Sequence, residues 1–457
     1  MTTETYDLII VGSGSGNSIP EYLDGWKIAI VERDVFGGTC LNRGCIPSKM
    51  FVLPADVAET VRHAQRLGIN ASVANIDWVG IRDRVFGLID PIAAGGEVYR
   101  ATGSEHITLL RGTARFIGDK TFNVAGPDGS NQTITAPKVL LAAGARPMIP
   151  AIPGLADVRY HTSDSIMRLD HFPPRLGIIG GGFIAVEMGH VFSGLGSDVH
   201  VFNRSTRLLR HHDAEISDRF TQVFSERVTF HAGCIPDRIE HADHTILVHA
   251  DGHTHEFDEL LVATGRVPNS DLLDAAAGGL ELHDDGRVVV DETMATPVEG
   301  VWAVGDLANS YQLKHLANAE AKVAFWNLAH PDDLRSTNYA AVPSAVFSDP
   351  QVATVGYSES EATMLGIDYA VGRRDYGGTA YGWALIDETS FAKVLVSRST
   401  GLVIGAHIIG PQAATLIQPL IQAMQFGLPA ERMAREMYYI HPALTEVVEN
   451  ALLDALE

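Results

Sequence analysis

The sequence predicts an α/β protein with two Rossmann-like domains and a C-terminal α+β domain. A plan of short apolar strand, glycine-rich turn, helix and second apolar strand occurs twice along the chain. Each copy also closes with a similar apolar strand that runs into a glycine. Residues 336–457 carry strand-like runs first and helix-like runs afterwards, an order that is typical of α+β modules.

Composition restricts the class of protein. At 457 residues the chain is too long for one ordinary core, so two or three domains are expected. Its formal net charge of −22 argues against a nucleic-acid partner. No basic region precedes the first apolar run, and no apolar stretch approaches the roughly 20 residues of a membrane span. We therefore expect a cytoplasmic protein with no membrane partner.

The first copy carries a glycine-rich turn at Gly12, Gly14 and Gly16, and the pattern predicts that this turn opens a helix. Such a turn lets the backbone approach a pyrophosphate at the helix N-terminus. Glu32 ends the next strand, where its carboxylate can accept hydrogen bonds from a ribose diol. The third glycine position is Asn17, a departure that affects the packing of helix on strand more than the pyrophosphate site.

A second element supports the assignment of this first copy to FAD. The apolar run 301–304 leads to Gly-Asp, which places Asp306 at a strand end where an acid can meet a ribityl chain. A helix is predicted to start around Lys314 and His315, and its N-terminus would stabilise negative charge on a reduced flavin. Gly144 and Gly265 follow the strands that close the two copies, and we count both among the cofactor-binding residues.

The second copy is assigned to NADPH. Gly180, Gly182 and Ala185 match the pattern G-x-G-x-x-A. The strand that follows ends in a neutral residue, where a site that selects NAD usually has an acid. Arg204 and Arg210 come next, and arginines suit a 2′-phosphate because they form fork-like charged hydrogen bonds. These features predict a preference for NADPH over NADH, although a solvated basic turn would look similar.

These assignments divide the chain into three domains. The FAD domain takes residues 1–150 and 270–335, because the chain returns to it after the second copy. The NADPH domain is inserted as a unit at 151–269. The third domain covers 336–457, after a linker at about 331–338. Pro147 and Pro268 are expected to stop the strands that close the first two domains.

The most specific segment is GGTCLNRGCIPSK at residues 37–49. Cys40 and Cys45 are five residues apart, and a loop or a distorted helix start can close that distance into one disulfide. Thiol–disulfide exchange needs one thiolate that attacks and another that resolves, and this pair supplies both. The segment lacks the further ligands that zinc needs, so no metal site is expected. The remaining cysteine, Cys234, is expected to be inert.

An acid–base pair is predicted near the C-terminus. His441 is followed five residues later by Glu446. A thiolate that leaves a disulfide needs a proton, and histidine titrates in the right range to supply it. A carboxylate on the other ring nitrogen would fix the histidine tautomer. One of nineteen histidines is more often structural than catalytic, but the His-Pro sequence and the following glutamate favour the catalytic interpretation.

GGTC-x4-GC-x-PSK, the two dinucleotide motifs and the C-terminal His-Pro-x3-Glu together resemble the pyridine nucleotide–disulfide oxidoreductases over nearly the whole chain. The resemblance implies two Rossmann-like dinucleotide-binding domains, for FAD and NADPH, and a C-terminal α+β dimerisation domain. It implies that Cys45 lies next to the flavin as the charge-transfer thiolate and that Cys40 attacks the substrate. It also implies an obligate homodimer in which His441 reaches the thiols of the other subunit.

The same resemblance assigns further cofactor-binding residues. Gly38 and Thr39 belong to the thiol motif itself. Lys49 and Glu187 match an ion pair near the flavin. The segment Thr113-Ala114 matches one that lines the adenine of FAD.

The substrate is expected to be a small disulfide. The tail 448–457 has no cysteine, which argues against mercuric reductases and large thioredoxin reductases with an extra C-terminal redox pair. Segments such as GSGSGN, LKHLANAEA and IHPALTEVVENALL are similar to those of mycothione reductases, which implies mycothiol disulfide. Two alternatives stay open, a dihydrolipoamide dehydrogenase that uses NAD and a non-enzymatic flavoprotein scaffold.

The stretch 381–383, Tyr-Gly-Trp, either stacks on sugars or belongs to a core.

Overall fold

The computed structural model describes residues 3–457, which divide into two compact units. The first unit comprises Met1–Met50, Val79–Met148 and Gly265–Asn338, described from Thr3 onwards. The second comprises Phe51–Trp78, Ile149–Thr264 and Tyr339–Glu457. Among the helices within residues 3–457, none combines the length and the apolar character needed to cross a bilayer.

The strands and helices are numbered in chain order. The strands are β1 Thr3–Thr5, β2 Leu8–Val11, β3 Ile28–Glu32, β4 Ile107–Arg111, β5 Thr113–Gly118, β6 Thr121–Ala125, β7 Asn131–Thr135, β8 Lys138–Leu141, β9 Ala145–Pro147, β10 Arg175–Ile179, β11 Asp198–Asn203, β12 Thr229–Ala232, β13 Arg238–Ala242, β14 Thr245–Ala250, β15 His253–Phe257, β16 Glu259–Val262, β17 Arg266–Pro268, β18 Val301–Ala303, β19 Pro343–Val346, β20 Val352–Gly356, β21 Tyr369–Asp375, β22 Phe391–Ser397 and β23 Val403–Ile409. The α-helices are α1 Gly38–Asn42, α2 Cys45–Arg62, α3 Trp78–Thr102, α4 Phe183–Leu195, α5 Ala214–Phe224, α6 Lys314–Ala329, α7 Glu359–Met364, α8 Ala380–Leu385, α9 Ala413–Leu416, α10 Gln418–Phe426, α11 Ala430–Glu436 and α12 Thr445–Leu456.

The first unit is built on a five-stranded parallel sheet with the order β18-β8-β2-β3-β4. All residues of β2 and β3 are buried, as expected for short runs rich in Ile and Val that are covered on both faces. A four-stranded sheet, β1-β7-β6-β5, packs its apolar side chains into the same core. The first predicted Rossmann-like sheet is therefore confirmed.

The helix predicted after the first glycine-rich turn does not form, and that prediction was wrong. A 3₁₀ turn covers Ser15–Asn17, and a second 3₁₀ turn follows before β3. Pro20 has no N–H to donate and disfavours helical backbone in the residue before it, so a helix cannot continue through this segment. The Arg100 guanidinium donates to the Oδ1 and carbonyl oxygen of Asn17 at 2.7 and 2.9 Å. Asn17 therefore anchors a turn instead of packing a helix on a strand.

The two prolines expected to stop the closing strands have a different role. β8 and β16 end several residues earlier, and the chain turns at Gly144 and Gly265, which adopt φ values of +63° and +133°. Pro147 and Pro268 instead end β9 and β17, which pair antiparallel with Arg266 opposite Pro147. Because proline cannot donate to a ladder, such short edge pairs are where it is tolerated.

The second unit contains three sheets. The parallel sheet β12-β11-β10-β16 is the second predicted Rossmann-like sheet, and α4 follows its glycine-rich turn as expected. The antiparallel sheet β13-β14-β15 contributes to the same core. The five-stranded antiparallel sheet β19-β20-β23-β22-β21 packs against α9–α12 around one apolar core. This α+β arrangement confirms the prediction, with the helix expected at 411–426 divided into α9 and α10.

A buried ion cluster joins residues of segment 149–264 to residues of segment 339–457. The Nζ atom of Lys393 donates to Oδ1 of Asp213 at 2.9 Å, lies 3.3 Å from Glu215 and also pairs with Glu359. Lys393 and Asp213 are each about 2% exposed. Burial opposes ionisation of both groups, yet their hydrogen bonds lower the pKa of Asp213 and raise that of Lys393.

Replacing Lys393 with Met should lower the free energy of unfolding by about 3–5 kcal/mol, because it leaves a buried carboxylate without its partner. The difference between wild type and variant should shrink below about pH 4, since a carboxyl with a lowered folded-state pKa loses its contribution as pH falls. Urea unfolding at pH 7 and pH 3.5 measures both effects. Lys322→Met, at an exposed lysine, should stay within about 0.5 kcal/mol of wild type. Equal stability of the two variants would contradict this account.

Candidate active site and dinucleotide sites

The two motif cysteines meet where α1 gives way to α2. Cys40 lies in α1 and Cys45 is the first residue of α2. Gly44 makes this approach possible, because a Cβ at that position would lie 3.0 Å from the Thr39 carbonyl oxygen and 3.3 Å from the Cys40 Cα. The two thiols are hydrogen-bonded and are not joined in a disulfide. The predicted pair is therefore in reach for exchange chemistry.

The electrostatics of the pair separate the two thiols. The hydrogen bond to Cys45 raises the pKa of Cys40, burial raises it further, and the Lys314 charge only partly opposes this. The direction of this shift favours the thiol form of Cys40. Because a low-pKa thiolate is not available at Cys40 itself, attack from this sulfur needs a base.

Lys314 begins the sixteen-residue helix α6, as predicted. Its Nζ donates to the Ser15 hydroxyl at 3.0 Å, which ties the helix start to the first glycine-rich turn. Burial lowers the pKa of Lys314, whereas the charges of Cys40, Cys45 and Asp306 raise it. The following residue, His315, is exposed. The sequence analysis predicted the helix start at Lys314. It did not predict that the Lys314 ammonium itself acts on the thiols.

Asp306 lies in the 3₁₀ turn after β18, where the sequence placed an acid. Burial raises its pKa, although Arg266, whose Nε is 3.5 Å from its Oδ2, opposes that rise. The turn is fixed by the fully buried Glu320, whose carboxylate accepts from the Gly305 N–H at 2.7 Å and from Asn309 at 2.9 Å. The sequence analysis did not identify Arg266 and Glu320 as residues that act on Asp306 and its turn. The acid of Glu320, within the first two turns of α6, was the one signal in the sequence that could have found it.

Glu32 is buried at the end of β3 and holds the glycine-rich turn in place. Its Oε2 accepts from the Ser13 N–H at 2.9 Å and from the Ser13 hydroxyl at 2.6 Å. Its carbonyl oxygen accepts from the N–H of the residue before Thr113, which sets Thr113 and Ala114 beside it at the start of β5. The strand end, the turn and the segment Thr113-Ala114 therefore lie together, and a contact of this segment with adenine stays a prediction.

Gly12 and Gly16 of the first turn, and Gly38 beside it, leave no room for a side chain. A Cβ at Gly12, which has a φ of +103°, would lie 2.3 Å from the Ala142 carbonyl oxygen. A Cβ at Gly38 would lie 2.7 Å from the Cα of Gly14, and one at Gly16 would lie 2.8 Å from an isoleucine methyl group. Bare backbone at this position fits the close approach of a pyrophosphate, and the site as a whole fits FAD.

The second glycine-rich turn precedes a full helix. A Cβ at Gly180, which has a φ of +130°, would lie 2.2 Å from the Ala263 carbonyl oxygen. Gly182 is the N-cap of α4 and makes no side-chain cap, so the first N–H groups of this helix remain open to an anion. Ala185 is buried in the first helical turn against the sheet. This site fits the diphosphate of a nicotinamide dinucleotide.

The arginines after β11 differ in their surroundings. Arg207 is engaged with Asp218, at 2.9 Å from its Nη2 to Oδ2. Arg204 and Arg210 are exposed, and neither forms an ion pair within residues 3–457. Burial lowers the pKa of the neighbouring His211, and the charges of Arg210 and Arg204 lower it further. The two arginines therefore make the electrostatic potential around His211 more positive. The pair is available for a 2′-phosphate.

Lys49 and Glu187 belong to different units. Lys49 is half-buried on α2, one turn after Cys45. Glu187 is buried on α4, and its Oε1 accepts from the Phe347 N–H at 2.9 Å. Their ion pair stays a prediction.

The predicted acid–base pair forms in the second unit. Nδ1 of His441 and Oε1 of Glu446 are 2.8 Å apart, so the ring turns its other nitrogen outwards. The His441 side chain is 72% exposed, whereas that of Glu446 is 18% exposed. Several residues that precede His441 in the sequence have exposed apolar side chains, namely Phe426, Met437, Tyr438 and Ile440. Exposed apolar side chains in such number are typical of a segment that contacts another protein.

Two family models match the chain. Residues 6–321 match the pyridine nucleotide-disulphide oxidoreductases, and residues 342–452 match the dimerisation domain of the same group. The chain belongs to this family. It is accordingly an FAD-dependent disulfide oxidoreductase that uses a nicotinamide dinucleotide and carries a dimerisation domain.

Relatives within the family are similar over their full length. Mycothione reductase from Mycobacterium tuberculosis is 48% identical, over 98% of this chain and 99% of that protein. Dihydrolipoyl dehydrogenase from Halobacterium salinarum is 34% identical, over 98% and 96%. Among solved structures, the Cu(II) complex of the HOCl-induced flavoprotein disulfide reductase RclA from Escherichia coli matches with a TM-score of 0.87, at 26% identity over 99% of both chains.

The stretch that was open to two interpretations is not part of a core. Tyr381 is 39% exposed and Trp383 is 68% exposed, on α8 of this oxidoreductase. Trp383 borders a cleft of about 610 Å³, together with Arg373 and Arg374. The interpretation as a core segment was wrong, and stacking on a sugar stays a prediction.

Proposed function

We propose that this oxidoreductase reduces mycothiol disulfide with NADPH, and that it does so through the Cys40–Cys45 pair. The observation that carries the substrate is the 48% identity to mycothione reductase over 98% of the chain, against 34% to dihydrolipoyl dehydrogenase. Mycothiol disulfide joins two cysteine-bearing pseudodisaccharides. The exposed Tyr381 and Trp383 offer flat surfaces for such sugars.

The choice of NADPH rests on Arg204 and Arg210. Both guanidinium groups stand exposed after β11, at the position where the ribose of a dinucleotide lies in Rossmann-like domains. Arginine pairs with phosphate through two parallel hydrogen bonds, whereas a ribose hydroxyl offers no charge to match. The three-domain division at 150, 270 and 335 and the cytoplasmic location stay predictions.

FAD, when bound, passes two electrons from the nicotinamide to the Cys40–Cys45 disulfide. Residues of the first unit would hold it, with Glu32 at the adenosine end and Asp306 at the ribityl chain. The Lys314 ammonium beside the thiols favours the thiolate form of the reduced pair. The proton that remains on the pair resides on Cys40.

Disulfide cleavage then proceeds in two exchanges. His441 removes the proton from Cys40, and the Cys40 thiolate attacks one sulfur of the substrate. A mixed disulfide forms, and the departing thiolate takes the proton back from His441. The Cys45 thiolate attacks the Cys40 sulfur, which closes the Cys40–Cys45 disulfide and releases the second product as a thiolate, and this thiolate takes a proton from solvent.

The proposed assembly is a homodimer in which His441 serves the thiols of the partner subunit. The dimerisation domain and the exposed apolar side chains near His441 support it. Glu446 binds Nδ1 of the exposed His441 ring and leaves Nε2 for proton transfer. Each active site would then need both chains.

Anaerobic titration of the holoenzyme with NADPH or NADH, followed by a panel of disulfides, tests the function. We expect reduction to be faster with NADPH and the reduced enzyme to be reoxidised by mycothiol disulfide, but not by glutathione disulfide or lipoamide. Reoxidation by lipoamide with a preference for NADH would replace the substrate by that of a dihydrolipoamide dehydrogenase. Flavin that neither nucleotide reduces would favour the scaffold alternative.

Replacing both Arg204 and Arg210 with Leu should raise the KM for NADPH by about 10- to 100-fold, because charged hydrogen bonds to a phosphate are lost. The KM for NADH should change little. Steady-state kinetics with both nucleotides measures the effect. Arg207→Leu is the matched control, since Asp218 already engages that guanidinium. An equal rise of KM for both nucleotides would contradict the assignment of a 2′-phosphate site.

A further inference from the structure

Three histidines of the second unit converge on one point outside the sites described above. His200 lies on β11, His231 on β12 and His255 on β15. β11 and β12 are parallel neighbours in which His231 pairs with Phe202, two residues after His200, so both imidazoles lie on the same face. β15 belongs to the antiparallel sheet and brings His255 to that face.

The geometry of the cluster suits a single ion. One ring nitrogen of each histidine lies within 4.8 Å of the others, and Nδ1 of His200 is 3.0 Å from Nε2 of His231. Two nitrogens that bind one tetrahedral Zn²⁺ at 2.0–2.1 Å lie about 3.3 Å apart. The closest pair, which a hydrogen bond joins, is therefore already near the spacing of bound ligands.

Aromatic packing holds one of the rings in this orientation. His231 stacks on Phe202 with ring centroids 4.3 Å apart and an interplanar angle of 4°. On the other side of His200, Nε2 lies 3.7 Å from Oδ1 of Asp198, near this carboxylate but beyond hydrogen-bond distance. All three histidines are partly exposed, so an ion can enter from solvent.

We propose that His200, His231 and His255 bind one divalent transition-metal ion of the kind that imidazole prefers, such as Zn²⁺ or Cu²⁺. The ion would join the parallel sheet to the antiparallel sheet of the second unit. The cluster of Asp213, Glu215 and Glu359 is not a competing site, because the Lys393 ammonium already occupies its centre.

Calorimetric titration of EDTA-treated holoenzyme with ZnCl₂ tests the proposal. The enzyme is kept oxidised, so that the Cys40–Cys45 disulfide cannot bind the metal. We expect one Zn²⁺ per chain, and we expect His231→Gln and His255→Gln each to weaken binding at least about tenfold. His244→Gln is the matched control, since this exposed histidine lies in the turn between β13 and β14 of the same unit. It should bind as wild type does.

A spectroscopic measurement on wild type does not depend on the variants' folding. With one equivalent of Cu²⁺, the electron paramagnetic resonance spectrum should show hyperfine splitting from several imidazole nitrogens. The proposal is overturned if wild type binds no stoichiometric metal or if the spectrum shows oxygen ligands alone. Undiminished binding by His231→Gln and His255→Gln, with normal flavin content, also overturns it.

Discussion

Replacing Cys40 with Ser should lower disulfide turnover by at least about 10³-fold while FAD stays bound and NADPH still reduces it. The hydroxyl of serine cannot form a mixed disulfide, so the first exchange is lost. Cys45 begins α2 and is unchanged in this variant, and reduction of the flavin by NADPH does not need Cys40. Turnover with mycothiol disulfide and stopped-flow reduction by NADPH measure the two halves separately.

Cys234→Ser is the matched control for loss of a thiol. Cys234 is buried in the second unit, and burial raises its pKa to about 12, so it carries no thiolate at neutral pH. This variant should turn over at the wild-type rate. Normal turnover by Cys40→Ser would remove the pair from the mechanism, and loss of FAD from that variant would mean that Cys40 has a structural role.

The second large effect is expected at His441. Its replacement by Gln should lower disulfide turnover by about 10²- to 10⁴-fold, because the base for Cys40 and the acid for the departing thiolate are both lost. The NADPH half-reaction should be unchanged. Since the pKa of Cys40 is raised, its thiolate fraction grows with pH, and the variant should regain activity as pH rises.

Glu446→Gln separates positioning from catalysis. It keeps a hydrogen bond to Nδ1 of His441 but removes the charge, so its loss of turnover should be smaller than that of His441→Gln. A pH profile of turnover, recorded for both variants from pH 6 to 9, shows the difference. A His441→Gln variant with wild-type turnover throughout this range would assign the proton transfer to another group.

Much of the fold could be predicted from local pattern. β2, β3, β10 and β16 are short apolar runs that the burial of a parallel sheet demands, and the glycines after them leave few alternatives. The approach of the two thiols could be predicted because Cys40 and Cys45 are only five residues apart, with Gly44 between them. His441 and Glu446 were found because a His-Pro sequence followed five residues later by a glutamate suits an acid–base pair.

The remaining features depend on contacts that are distant in sequence. Pro20 already stops a helix after the first glycine-rich turn, but the anchoring of that turn depends on Arg100, more than eighty residues later, which binds Asn17. Arg266 and Glu320 act on the turn of Asp306 through tertiary packing alone. The three histidines lie on three strands of two sheets, and strand pairing, rather than any motif, brings them together.

The buried Lys393 of β22 restricts which segments of this protein can be exchanged with those of its relatives in a chimera. Asp213 and Glu215 come from the middle of the chain, whereas Lys393 and Glu359 come from the last third. A chimera with a relative that lacks the matching residues would bury a charge without its partner. The nucleotide-binding segment and the C-terminal sheet must therefore be exchanged as one block, and substitutions on either side have to be matched on the other.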